Sequence, residues 1–150
     1  MKIKLLLILL IFSATLFGSN IDKFASYMSY YRDYNQALNK AKEENKILFV
    51  AQVSDYCSWC RKLERKTLQN STVAIKINQN FIALIIDRNI DKDNYPKQLY
   101  SKRVPNIYFI NPNNEKIIKE IPGYTKKNDF IIILDDFLSK HKAIKWKKLF

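Results

Sequence analysis

The sequence predicts an α/β domain with a central mixed β-sheet and helices on both of its faces. Short apolar runs of strand length alternate with segments in which apolar residues recur at helical spacing. The last two apolar runs are separated only by a turn, which indicates a hairpin and hence an antiparallel strand pair. The alternation and the hairpin together predict the mixed sheet.

The elements follow from this periodicity and from residues that start or end helices and strands. In chain order they are an amphipathic helix at about 22–44, a buried strand at 46–53, a helix at 57–69, a short helix at 71–79, a strand at 81–87, a short helix at 95–102, strands at 104–110 and 115–121, and a closing helix near 130–138. Ser71 is expected to cap its helix, and Pro96 is tolerated in a first helical turn. Pro105 stands at a strand start, where its missing N–H does least harm.

The N-terminus has the layout of a signal peptide. A basic start at Met1–Lys4 is followed by an unbroken apolar run at Leu5–Phe12 and by small residues up to Gly18 and Ser19. We therefore expect residues 1–19 to be a leader and the protein to be exported to the bacterial periplasm. An uncleaved membrane anchor is the alternative, although the apolar run is short for a membrane-spanning helix.

Residues 20–140 are expected to form one domain, because the roughly 130 residues that follow the leader can build one core and not two. The formal net charge of +12 favours acidic partners or anionic surfaces, but an exported protein rarely meets nucleic acid. Residues 141–150 are expected to be a basic tail with interleaved apolar residues. This tail is either a frayed extension or a weak contact with an anionic membrane surface.

The pair Cys57 and Cys60 contains the only cysteines of the chain. Cys57 would lie at a helix N-terminus, where unpaired N–H groups and the helix dipole favour the nucleophilic thiolate. Cys60, one turn along, would be more enclosed and suited to resolving a mixed disulfide. A structural disulfide is a weaker alternative, because so short a loop removes little entropy from the unfolded chain. A metal site is another, but C-x-x-C supplies half a ligand set, and the sole histidine, His141, is expected to be an ordinary surface residue.

These features together resemble a known family. A buried strand, an aromatic residue, the C-x-x-C helix and a Val104–Pro105 pair opening a hairpin strand are similar to the thioredoxin fold over about 46–140. The segment Asp55–Glu64, D-Y-C-S-W-C-R-K-L-E, most resembles the C-terminal domain of DsbD-type periplasmic reductases and their small exported relatives.

The resemblance implies a role for individual residues. Cys57 corresponds to the attacking cysteine and Cys60 to the resolving cysteine. Pro105 corresponds to the proline that is cis in the family, with Val104 presenting its backbone to the substrate. Glu64 falls where DsbD-type domains carry an acidic residue, and it would help to move the proton that Cys60 loses; an exposed surface glutamate is the alternative.

Two features of the sequence bear on the direction of electron flow. Many thioredoxins bury an aspartate six residues before the first cysteine, and this chain has Ala51 there. Between the cysteines, Ser58 and Trp59 supply no charge to stabilise a thiolate, and Arg61 and Lys62 are expected to extend into solvent. The pattern therefore favours a reductant or an interchange protein over a strong oxidant.

The predicted function is thiol–disulfide exchange with exported proteins that carry disulfides. Trp59 and Tyr56 are expected to contact the substrate. A membrane reductase of DsbD type would supply electrons, and neither an organic cofactor nor a metal is implied. The alternative is a non-catalytic binding or metal-handling module that retains the fold.

Overall fold

Four strands form one mixed sheet. The structure is a computed structural model that describes residues 20–147, with the backbone alone from residue 142 onward. The strands are β1 (Ile47–Val53), β2 (Phe81–Asp87), β3 (Asn106–Ile110) and β4 (Ile117–Pro122), in the spatial order β2-β1-β3-β4. The β1–β2 pair is parallel, whereas β1–β3 and β3–β4 are antiparallel. The predicted α/β class and mixed sheet are confirmed.

Helices cover both faces of this sheet. They are α1 (Asn20–Met28), α2 (Tyr34–Glu43), α3 (Ser58–Leu63), which continues as a π-helical turn at Glu64–Leu68, α4 (Ser71–Asn80) and α5 (Lys127–Lys147). The core between the sheet and α1, α3, α4 and α5 includes Phe49, Ala51, Cys60, Phe109 and Phe130. A second core lies between α2 and the opposite sheet face. Cys60 therefore faces the larger core, and the sheet supports the C-x-x-C helix from below.

The single helix expected at about 22–44 is wrong, because the chain forms two helices with an extended link between them. Ser29 has a φ of 59°, a left-handed conformation that a continuous helix does not allow. Tyr31 then pairs with Leu84 as an isolated parallel bridge beside β2. Asp33 starts α2 by capping it with its side chain. The backbone of Tyr31 in this link therefore forms its hydrogen bonds with the edge strand β2 and not within a helix.

The short helix expected at 95–102 is only a 3₁₀ turn, Lys97–Leu99. The buried side chain of Gln52 in β1 replaces helical hydrogen bonds there. Its Nε2 donates to the Leu99 carbonyl at 2.8 Å, and its Oε1 accepts from the Ser101 N–H at 3.2 Å. These bonds hold the chain extended before it enters β3.

Several boundaries also differ from expectation, among them the start of β4, which is Ile117 and not residue 115. Asn70, not Ser71, caps α4, since its Oδ1 accepts from the Val73 N–H at 3.4 Å. The strand expected from 104 begins at Asn106. The closing helix α5 runs on through Lys147, so the backbone of the predicted tail is helical as far as it is described.

Within residues 20–147, no helix combines the length and apolarity needed to cross a membrane. The predicted leader, with its anchor alternative, lies outside the described residues.

We expect Gln52→Leu to lower the free energy of unfolding by about 2–3 kcal/mol, because it leaves the buried Leu99 carbonyl and Ser101 N–H without partners. Urea titration measures the change. The control is Gln98→Leu, an exposed glutamine whose Nε2 donates to the Glu115 carbonyl, which should cost less than about 0.5 kcal/mol. Equal losses of unfolding free energy in both variants would show that the buried Gln52 hydrogen bonds stabilise the fold no more than the exposed one of Gln98.

Candidate active site

A disulfide joins Cys57 and Cys60 at the C-terminal end of β1. The strand ends at Val53, a turn follows, and Cys57 occupies the N-cap position of α3 with an extended backbone. Cys57 is half-buried, whereas Cys60 is completely buried. Only the first sulfur can be reached from solvent, as the predicted attacking and resolving roles require.

The helix start places a hydrogen-bond donor on the Cys57 sulfur. The Cys60 N–H donates to Cys57 Sγ at 3.1 Å. In the reduced protein a donor at this position favours thiolate over thiol, because the charged form accepts the stronger bond. The backbone of α3 therefore helps to activate Cys57.

The Val104–Pro105 segment lies against the disulfide. The peptide bond between these two residues is cis, and Cys57 Sγ lies 3.7 Å from the Val104 carbonyl oxygen. Pro105 is buried, and its carbonyl accepts a hydrogen bond from the Gly123 N–H at 2.8 Å. The sheet and the Gly123 turn thus fix a backbone edge beside the sulfur that a substrate would approach.

Glu64 begins the π-helical turn that continues α3. Its N–H donates to the Cys60 carbonyl, so the two side chains are one turn apart on the same side. Glu64 is only 4% exposed, which excludes the alternative of an exposed surface glutamate. Burial raises the pKa of Glu64 above the ordinary carboxyl range, and the nearby Arg61 guanidinium offsets part of that rise. A buried carboxyl with a raised pKa, next to Cys60, is suited to proton exchange.

Arg61 does not extend into solvent as expected. Its Nη1 donates to Glu64 Oε2 at 3.2 Å, and its Nη2 donates to the Asp55 carbonyl at 3.0 Å. The Arg61 side chain therefore links the turn before Cys57 to the Glu64 carboxylate. No sequence pattern predicted this link, although the i,i+3 spacing of Arg61 and Glu64 is compatible with it.

Trp59, between the two cysteines in sequence, packs with an aromatic ring and a lysine. Trp59 is 55% exposed, and its ring lies 5.7 Å from that of Tyr124, centroid to centroid. Lys62 Nζ lies 4.7 Å from the Trp59 centroid and 4.8 Å from that of Tyr124. Tyr56, in the turn before Cys57, is fully exposed. Trp59 thus packs partly on its own domain and still presents apolar surface.

Tyr124 was not predicted as part of the site. Gly123, whose φ is +81°, turns the chain after β4 and brings Tyr124 to Trp59. The available signal was Gly123 itself, the only glycine outside the predicted leader.

His141 lies away from this site and is more than an ordinary surface residue. Its Nδ1 lies 2.7 Å from the Phe137 carbonyl oxygen, and its ring stacks on that of Phe137 with 4.0 Å between centroids. Across residues 20–147, no cluster of three or more histidine, cysteine or acidic side chains has metal-binding geometry.

A family model described as a thioredoxin-like domain matches residues 34–138, more than half of the chain. Solved structures share the fold. A thioredoxin from Thermus thermophilus superposes with a TM-score of 0.67 at 16% identity, over 77% of this chain and 92% of that one. The oxidised DsbD C-terminal domain of Neisseria meningitidis gives 0.55 at 18% identity, over 71% and 97%. A putative disulphide-isomerase from Bacteroides thetaiotaomicron gives 0.58 at 24% identity, over 67% and 85%.

Curated relatives match over a shorter segment. Spermatogenesis-associated protein 20 is 36% identical over 53 residues in Rattus norvegicus and 38% identical over 53 residues in Mus musculus. The match covers 35% of this chain and 7% of each relative.

Proposed function

The chain belongs to the thioredoxin-like family, and we propose that it is a thiol–disulfide oxidoreductase that reduces or rearranges disulfides of exported proteins in the bacterial periplasm. One observation carries the proposal. An accessible Cys57 is joined to a buried Cys60 at a helix start, beside the backbone of Val104 and Pro105.

The reaction has two exchange steps. The Cys57 thiolate attacks one sulfur of a substrate disulfide, which forms a mixed disulfide and releases the other substrate sulfur as a thiolate that takes up a proton. Cys60, after giving up its proton to Glu64, attacks Cys57 Sγ and releases the second substrate sulfur as a thiolate, which takes up a proton from water. Two electrons pass to the substrate, and the Cys57–Cys60 disulfide is formed.

Each neighbouring group has a task in these steps. The Cys60 N–H stabilises the Cys57 thiolate before attack and again when Cys57 is the leaving group of a reverse exchange. The partly buried Val104 would pair its backbone with the substrate backbone, while Tyr56 and Trp59 contact the substrate's side chains. No organic cofactor or metal takes part in these steps.

The proposed direction is reduction. Ser58 and Trp59 place no positive charge between the cysteines, and the donor that the structure places on Cys57, the Cys60 N–H, is uncharged. Without a charge that strongly stabilises the reduced form, the pair retains a tendency to give electrons away. Continued turnover then needs an electron donor, and a membrane reductase of DsbD type fits an exported protein.

The test of this proposal is capture of partners by a Cys60→Ser variant in the bacterium. Without the resolving cysteine, mixed disulfides should accumulate on Cys57 and run as reducible high-mass bands in the periplasmic fraction. The matched control lacks both cysteines and should show none. Absence of bands from the single variant, or bands in the cytoplasmic fraction alone, would refute exported exchange.

We expect Trp59→Ala to reduce kcat/KM for a disulfide-bonded protein substrate by about tenfold, because an exposed aromatic at the centre of an interface carries a large share of binding energy. A smaller loss is expected with a small disulfide that cannot reach the Trp59–Tyr124 surface. Stopped-flow measurement with both substrates provides the comparison. Ile132→Ala, a change of another exposed apolar residue, on α5, is the control and should leave both rates unaltered. Equal losses with both substrates would contradict a docking role.

A further inference from the structure

A cleft of about 410 Å³ lies between α1 and the helix that carries the cysteines. One wall is a stripe of α1 that includes Lys23 and Tyr27, and the other includes Arg61, Glu64 and Arg65. Trp59 and Lys62 instead face Tyr124. The cleft and the aromatic surface therefore involve different residues of the helical segment that follows Cys57.

The lining has an excess of positive charge. Arg61 is matched by Glu64 and by the Asp55 carboxylate, which lies 3.6 Å from its guanidinium. Lys23 and Arg65 form no salt bridge with any residue that the structure describes, although Arg65 donates from Nε to the Arg61 carbonyl at 3.4 Å and also attracts the Glu64 carboxylate. With Glu64 counted against Arg61, the lining keeps an excess of two positive charges, on Lys23 and Arg65 of opposite walls.

The cleft also offers apolar surface. Phe24 is a buried part of its lining, and the ring of Tyr27 is 75% exposed. A simple inorganic anion would use the cations and leave these rings uncovered. A peptide with acidic and apolar side chains would use both, and the volume falls in the range of about 300–1,000 Å³ found for binding pockets.

We propose that this cleft is a second docking site for the protein partner, and that it binds an acidic segment of that partner containing an apolar side chain. The inference rests on the proposed function and names a substrate class for it. A partner whose sulfur is at Cys57 and whose surface covers Trp59 would place such a segment across α3 into the cleft. The cations would also speed encounter with acidic partners at low salt.

Binding of a fluorescein-labelled octapeptide of glutamate, aspartate and one leucine, without cysteine, tests this proposal. Fluorescence anisotropy with the oxidised protein should show saturable binding that weakens as salt is raised. The double variant Lys23→Glu/Arg65→Glu should bind about tenfold more weakly. The control Lys42→Glu/Lys97→Glu makes the same change in net charge at exposed positions on the α2 side of the sheet, and it should weaken binding less than about twofold.

The outcomes separate this inference from the proposed function. Equal weakening in both double variants, no binding to wild type, or displacement of the peptide by millimolar inorganic phosphate would overturn the inference. Circular dichroism checks that both variants are folded. Failure of the proposed function would instead appear as failure of the reduced wild-type protein to reduce a small disulfide, a measurement that does not involve the cleft.

Discussion

Replacing Cys57 with serine is expected to reduce disulfide exchange to the rate of the buffer alone. Cys57 holds the accessible sulfur of the pair, and the other, on Cys60, is completely buried. Serine cannot supply a thiolate or form a mixed disulfide. Reduction of a protein disulfide, followed by turbidity or by thiol release, measures the loss.

The Cys60→Ser variant is the matched control for this result. It keeps the accessible sulfur and should form one equivalent of mixed disulfide at a rate near that of the wild type, without turning over. Substantial activity in Cys57→Ser would assign the attack to Cys60 and contradict the order of the two steps.

Replacing Glu64 with glutamine should slow release of the mixed disulfide by about a hundredfold, near the lower end of what a positioned acid or base contributes. The buried carboxyl is one turn from Cys60, and Ala51 leaves no carboxyl at the strand position where many thioredoxins have one. Attack by Cys57 should change little. In the part of the chain that the structure describes, the hydrogen-bond contacts of Cys57 Sγ are with Val104 and Cys60, and Glu64 is not among them. Single-turnover kinetics separate the two steps.

The pH profile identifies the cause of this loss. Because burial raises the Glu64 pKa, release by the wild-type protein should rise with pH through a range above that of ordinary carboxyl groups. This rise should be absent in Glu64→Gln, whereas Glu44→Gln, an exposed carboxyl paired with lysines, should keep it. An unaltered profile in Glu64→Gln would exclude a proton-transfer role.

Protein stability gives the same variant a folding control. A raised pKa means that folding disfavours the Glu64 carboxylate, so its cost is absent below the ordinary carboxyl pKa and complete above the raised one. Relative to wild type, Glu64→Gln should therefore become more stable as pH rises through that interval. A slower release step would then not reflect an unfolded protein.

The sequence predicted the sheet well, because apolar strands carry their own signal. The runs that became β1 and β2 were placed to within one residue, and both are almost wholly buried. The helical regions were predicted less accurately. The tyrosine-rich segment before β1 has helical spacing, yet Tyr31 pairs with β2 in an extended conformation. That pairing depends on a neighbour distant in sequence, which periodicity does not report.

The candidate site shows the same division. Cys57 and Cys60 were found from spacing alone, and the enclosure of Cys60 followed from their places on a helix. The Arg61–Glu64 pair and the Tyr124 ring were not found, since each depends on how side chains from separate segments meet. The role of Gln52 was not predicted either. A glutamine inside an apolar strand does indicate that its buried amide has hydrogen-bond partners nearby.

The reduction potential of the Cys57–Cys60 pair is the most direct test of the proposal that this oxidoreductase gives electrons to its substrates. Equilibration of the protein with glutathione or dithiothreitol buffers, with the thiols counted after alkylation, gives the value. We expect a potential near that of reducing thioredoxins, about −270 mV. A value near about −120 mV, as found for strong oxidants of this fold, would contradict the proposed direction of electron flow.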